Sequence, residues 1–164
     1  MVTFYFMRSL IEKNYIFNTT HSDTEVIINA YLEWGIECIQ IFRGMYSIAL
    51  WDKAEDTLHL VRDKIGIKPM YYSQSNEKFY FASEIKAILE DKTIHRAINH
   101  KGFYNYLSFL TVPAPETLFE GVFKLPAGHR VEIKNGNVSD LIQYWDVFDD
   151  VEVNTDSEEK IKKD

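Results

Sequence analysis

The apolar positions change period twice in the first third of the chain. Over residues 23–34, Val26, Ile27, Ala30, Tyr31 and Trp34 recur at the i, i+3, i+4 spacing of a helix lying on a core. Ser22-x-x-Glu25 opens that run as a capping box. The Ser22 hydroxyl accepts from the Glu25 N–H, and Glu25 reaches back to the Ser22 N–H. Gly35 ends the helix. A shorter one carries Cys38, Ile39 and Phe42 and stops near Gly44. Over 45–51 the period becomes two, with Tyr46, Ile48 and Leu50 on one side and Met45, Ser47, Ala49 and Trp51 on the other. Both sides are mostly apolar, which predicts a strand covered on both faces. A polar turn at 52–56 and a return over 57–62 complete a hairpin.

Upstream, Phe6, Leu10 and Ile11 fit a helical face, and Tyr15-Ile16-Phe17 reads as a short strand. Downstream, Asp63-Lys64-Ile65-Gly66-Ile67-Lys68-Pro69 is a structured loop, with Arg62 and Asp63 a charged pair that holds it. Residues 70–72 and 78–81 form a second hairpin. Ser83 caps a short helix containing Ile85, Ile88 and Leu89. Asn99 caps another, with Phe103, Tyr106 and Leu107 on one face. Val112-Pro113-Ala114-Pro115-Glu116 excludes both helix and central strand. Residues 122–125 and 130–134 follow as strands about a turn at 126–128. Asn135-Gly136 is a type I′ hairpin signal, closed by 138–145. From 149 the chain is polar and acidic. Strands in hairpins with helices before and after predict an α+β fold of mostly antiparallel sheet.

The chain's 164 residues are the size of one domain. A net charge of −7 with no basic stripe argues against a nucleic-acid partner. No apolar run reaches the ~18 residues of a membrane helix. Residues 1–7 lack the basic region and cleavage site of a signal peptide. The single cysteine, Cys38, excludes an internal disulfide and suits a reducing, cytoplasmic setting. Flanked by Glu37 and Ile39 in an apolar run, it reads as a small buried hydrophobe rather than a nucleophile. No histidines pair at metal-ligand spacing, and no glycine-rich phosphate loop is present. Asp23 carries two readings. It complements the helix dipole, or it is an anionic ligand for an ammonium group. The residues alone leave both open.

Several stretches, in order, resemble one family. Ser22-Asp23-Thr24-Glu25-Val26-Ile27, Phe42-Arg43-Gly44-Met45-Tyr46-Ser47-Ile48-Ala49-Leu50-Trp51-Asp52, Gly66-Ile67-Lys68-Pro69-Met70-Tyr71-Tyr72 and Phe81-Ala82-Ser83-Glu84-Ile85-Lys86-Ala87 look like the class II glutamine amidotransferase domain. Val112-Pro113-Ala114-Pro115-Glu116-Thr117, Lys124-Leu125-Pro126-Ala127-Gly128-His129 and Tyr144-Trp145-Asp146 are similar to glutamine-hydrolysing asparagine synthetases in particular. The resemblance implies an N-terminal-nucleophile hydrolase fold, a four-layer αββα sandwich of antiparallel sheets. It implies ATP-dependent amidation of aspartate with ammonia from glutamine. Asp23 matches the family's aspartate that holds the glutamine α-ammonium.

The family's cysteine at residue one, its Arg-Gly-Pro and Asn-Gly-Glu stretches and its Ser-Gly-Gly-x-Asp-Ser pyrophosphate loop have no counterpart here. The expectation is a domain over 1–146 truncated at its N-terminus, its first strands missing. Residues 147–164 then form a polar linker or the start of a missing synthetase domain. On that reading the chain holds no catalytic residue, no cofactor and no metal, binds glutamine weakly or not at all through Asp23, and is inactive alone. Its partners are the missing half-site and the synthetase domain, to which Mg-ATP belongs. The alternative is a non-catalytic interaction module, or a partner subunit of a split amidotransferase.

Overall fold

The computed structural model describes residues 3–19 and 22–149. The expected linker therefore falls, from residue 150, outside the described residues. Helices α1 (Thr3–Glu12), α2 (Asp23–Trp34) and α3 (Cys38–Ile41) come first, with a 3₁₀ turn, Gly35–Glu37, between the last two. Strands β1 (Ser47–Asp52), β2 (Thr57–Arg62), β3 (Tyr71–Ser75) and β4 (Lys78–Ala82) follow. Then come α4 (Ile85–Ile88), α5 (His100–Phe109), β5 (Val122–Lys124), β6 (His129–Lys134), β7 (Asn137–Val138) and β8 (Ile142–Gln143).

The strands form two antiparallel sheets, as the α+β expectation requires. One runs β1-β2-β6-β7, with β8 also on β6, and the other runs β4-β3-β5. The turn at 126–128 thus connects β5 of one sheet to β6 of the other. Gly128 permits that passage: at φ +65° it lies where a Cβ would stand 2.4 Å from the Trp145 carbonyl oxygen.

The period of two sorts the strand side chains into separate cores. Leu58 and Leu60 of β2 and Val131 and Ile133 of β6 pack with Tyr72 of β3 and Phe79 of β4, joining one sheet to the other. On the opposite face of the first sheet, Val61 and Ile48 meet Leu10 of α1, Val26 and Ala30 of α2, and Cys38 and Ile39 of α3. Phe42 closes this core, fully buried and edge-on to Tyr46 at 5.9 Å between ring centroids. On the second sheet's far face, Tyr71, Tyr80 and Val122 pack with Ile85 and Ile88 of α4.

Several local expectations change. Tyr15-Ile16-Phe17 is loop, not strand: Ile16 is exposed, and the Tyr15 hydroxyl donates to Glu33. The α4 cap is Glu84, with no side-chain bond, instead of Ser83. Residues 138–145 do not return as one strand. They break after β7, and β8 pairs with the other end of β6. In α5, Asn99 caps as expected, accepting from the Gly102 N–H at 3.1 Å, but Phe103, Tyr106 and Leu107 stay exposed. That helix is seated by Gly102, its buried residue.

Candidate functional site

The start of α2 is built by its own side chains. Ser22 is the N-cap, in extended backbone, and its hydroxyl accepts from the Glu25 N–H at 3.3 Å. Glu25 reaches further upstream than a capping box would. Its carboxylate accepts from the Asn18 N–H at 2.7 Å, the Asn18 amide at 3.2 Å, the Thr19 N–H at 3.0 Å and the Thr19 hydroxyl at 2.6 Å. The Thr19 hydroxyl, then the Asn18 N–H, hold this carboxyl below its usual range. The approach loop is thereby tied to the first turn of α2. Asp23 and Glu25 both lie in that turn, and the Asp23 side chain is exposed. Two carboxylates at the positive end of the helix dipole are placed where anionic groups are favoured. The cap fixes the turn in which Asp23 lies, and Asp23 is exposed on it, so cap and ligand readings are compatible.

A cleft of about 360 Å³ runs from that turn along β1, lined by Thr24, Ile27 and Ile28 of α2 and by residues 47–51. β1 is covered on one face only, contrary to expectation: Ala49 and Trp51 are exposed.

Cys38 lies inside. It is 2% exposed, and burial, reinforced by the nearby Glu37 charge, pushes its thiol up to about 12. A thiol so placed is neutral at pH 7 and is not a nucleophile. Arg62 and Asp63 hold their loop through its backbone. The guanidinium donates to the carbonyls of Lys68 (2.8 Å), Gly66 (2.6 Å) and Leu125 (2.6 Å). The fully buried Asp63 carboxylate accepts from the N–H groups of Ile67 (3.0 Å) and Lys68 (2.9 Å).

One polar constellation has no sequence signature, because its members come from four separate elements. The Tyr31 hydroxyl donates to Asp52 at 2.7 Å and lies 3.4 Å from His59 Nε2. His59 Nδ1 lies 3.3 Å from Glu132, outside hydrogen-bond geometry, and Glu132 is bonded by Arg130. Burial, ahead of the opposing Glu132 charge, lowers the His59 pKa. Among the described residues, no group of three or more His, Cys, Asp and Glu side chains is arranged to hold a metal ion. No helix among them is long and apolar enough to cross a membrane.

Comparison with known proteins gives this geometry a context. A relative named asparagine synthetase [glutamine-hydrolyzing] 3, from Bacillus subtilis, is 31% identical over 137 residues, 83% of this chain and 22% of that protein. A putative asparagine synthetase [glutamine-hydrolyzing] 2 from Methanocaldococcus jannaschii is 32% identical over 149 residues, 85% of this chain and 29% of that protein. The chain thus spans less than a third of the length of these relatives. A solved B. subtilis glutamine phosphoribosylpyrophosphate amidotransferase shares the fold, at TM-score 0.54 and 16% identity, over 85% of this chain and 26% of that one. The family model described as glutamine amidotransferase domain matches residues 4–145, and the chain belongs to that family.

Proposed function

We propose that this chain is part of a glutamine-dependent asparagine synthetase, in which aspartate is amidated at the expense of ATP with ammonia from glutamine. The observation that carries the reading is Asp23, an exposed carboxylate on a tied helix start, in a chain whose relatives bear that name over most of its length. Asp23 accepts from the α-ammonium of glutamine, a charge-assisted hydrogen bond. Ser22 and Glu25 position it by fixing the turn.

Binding is as far as these residues go. Amide hydrolysis needs an activated nucleophile, and the neutral, buried Cys38 does not supply one. On this reading a polypeptide of these 164 residues alone does not turn glutamine over. The nucleophile half-site and the synthetase part are contributed by the rest of such an enzyme. Mg-ATP is a substrate of that part; the described residues offer it no metal-ligand cluster, and no step is assigned to them through it. The reading carries with it a cytoplasmic setting, which a lone free cysteine suits.

Ammonia release from L-glutamine by the purified chain is the test. No release above the blank is expected. Turnover that Asp23→Ala abolishes overturns the proposed inactivity. The outer side of β1, which no strand pairs among the described residues, favours a second reading, a non-catalytic subunit that works through association.

A further inference from the structure

The buried polar groups beneath α2 make more contacts than they have protons to fill. The period of two sets Asp52, His59, Glu132 and Arg130 on the helix-covered face of the first sheet, with His59 and Glu132 directly opposite in the register. Tyr31 reaches them from α2. The contacts run in one line. The Tyr31 hydroxyl meets Asp52 at 2.7 Å and lies 3.4 Å from His59 Nε2, and His59 Nδ1 lies 3.3 Å from Oε1 of Glu132. The imidazole is buried, and among the described residues its Nδ1 has no hydrogen-bond partner.

Both ends of the line are acceptors held in place. Asp52 Oδ1 accepts from the Ala54 and Glu55 N–H groups at 2.9 and 3.0 Å, while Oδ2 accepts from Tyr31. Glu132 Oε1 also accepts from Arg130, whose guanidinium stands 4.0 Å from Glu37 on the turn after α2. Two carboxylates therefore close a line of three contacts. Tyr31 has one proton and donates it to Asp52, which leaves its oxygen as the acceptor for an Nε2–H. A neutral ring with its proton on Nε2 then turns a bare Nδ1 lone pair to the Glu132 oxygen. With the proton on Nδ1 it turns a bare Nε2 to Tyr31. In either tautomer one contact is left without a hydrogen, and the imidazolium supplies it.

We propose that His59 is a proton-operated switch. Neutral, it bonds Tyr31 through Nε2–H and leaves Glu132 to Arg130. Protonated, it also donates Nδ1–H to Glu132 and completes a hydrogen-bonded line from β1 through α2 and β2 to β6. The surrounding groups set its range. Burial weighs most against the imidazolium, Arg130 adds to that, and Glu132 and Asp52 oppose them, so the switch works below the ordinary histidine value of 6.5. Glu55, next to Asp52, is paired with Lys134 at 3.1 Å, and the Cys38 thiol is neutral. Within the folded molecule, acid thus fastens α2, the helix that begins at Asp23, to β6 as well as to β1 and β2. Overall stability still falls on acidification, because the unfolded chain takes its proton at higher pH. The switch does not rest on the glutamine reading.

Nuclear magnetic resonance of the purified chain carrying isotope-labelled histidine tests it, because the ring nitrogen shifts separate the two tautomers from the imidazolium. Near neutral pH the His59 proton should sit on Nε2. On acidification Nδ1 should gain a proton at a midpoint below 6.5, and the Glu132 carboxylate and Tyr31 ring signals should move with that same midpoint. Glu132→Gln removes the charge and offers Nδ1 an amide N–H, so the midpoint should fall by about one pH unit or more. Tyr31→Phe removes the acceptor for Nε2–H, so the neutral ring should carry its proton on Nδ1. The unsubstituted chain decides the matter even if a variant fails to fold. A neutral Nδ1–H ring in that chain overturns the proposal. So does a ring that stays neutral until acid unfolds the chain, or one that protonates with no change at Tyr31 or Glu132. A midpoint that Glu132→Gln leaves in place overturns it too.

Discussion

Glu25 ties down the loop before α2 and so fixes the turn on which Asp23 is exposed. The Ser22 cap was legible in the sequence because a cap needs only one hydroxyl and one N–H three residues on. The reach of Glu25 to Asn18 and Thr19 was not, because it depends on how the preceding loop folds back. His59 was legible only as a strand residue. Its partners, Tyr31, Asp52, Glu132 and Arg130, are assembled by packing α2 over β1, β2 and β6. A buried histidine with a lowered pKa has a definite consequence. The unfolded chain takes up its proton near pH 6.5, while the folded chain still holds the ring neutral. Unfolding therefore binds a proton in that window, and stability falls as pH drops below about 6.5. Thermal melts should show a loss between pH 7.5 and 5.5 that His59→Gln reduces; an unchanged slope contradicts this. Asp52 and Glu25, held below their usual range, act in a separate window: their stabilisation is lost only as pH falls through the carboxylate range near 4.

Among the elements, α2 and the two hairpins followed from periodicity, which reports a buried stripe or alternating face directly. Periodicity failed at α5 and at one face of β1. Phe103, Tyr106, Leu107 and Trp51 have the spacing of buried residues but lie exposed, since a pattern records which side chains share a face and not whether anything covers it. Gly102 shows what seats α5 instead. A Cβ there would lie 2.2 Å from the Thr117 carbonyl oxygen. Alanine gains up to about 1 kcal/mol of helix propensity over glycine. Overpacking against backbone costs about 1–3 kcal/mol, and Thr117 is itself fixed by hydroxyl bonds to the Phe119 and Val122 carbonyls. Gly102→Ala should therefore lower the urea midpoint, despite its better propensity. A raised midpoint would show that α5 is not held by this close approach.

For the whole molecule, α+β class and antiparallel pairing were readable, while the division of the strands between two sheets was not. Residues 122–125 and 130–134 read as neighbours across a turn, yet β5 pairs with β3 and β6 with β2. Short strands carry no label of their partner; Gly128 and the Arg62–Asp63 loop, which bonds to Leu125, decide it. Family membership was legible because ordered local motifs survive where spatial arrangement is invisible. In the proposed function, Asp23 is the ammonium ligand for glutamine. Titrating L-glutamine and N-acetyl-L-glutamine into labelled protein, and following the amides of Thr24, Glu25 and Val26, tests it most directly. One charge-assisted contact supports only millimolar or weaker binding. Glutamine should shift those amides at millimolar concentration, N-acetylglutamine should not, and Asp23→Asn should abolish the response. Equal shifts with both ligands, or an unchanged response in Asp23→Asn, would contradict the account.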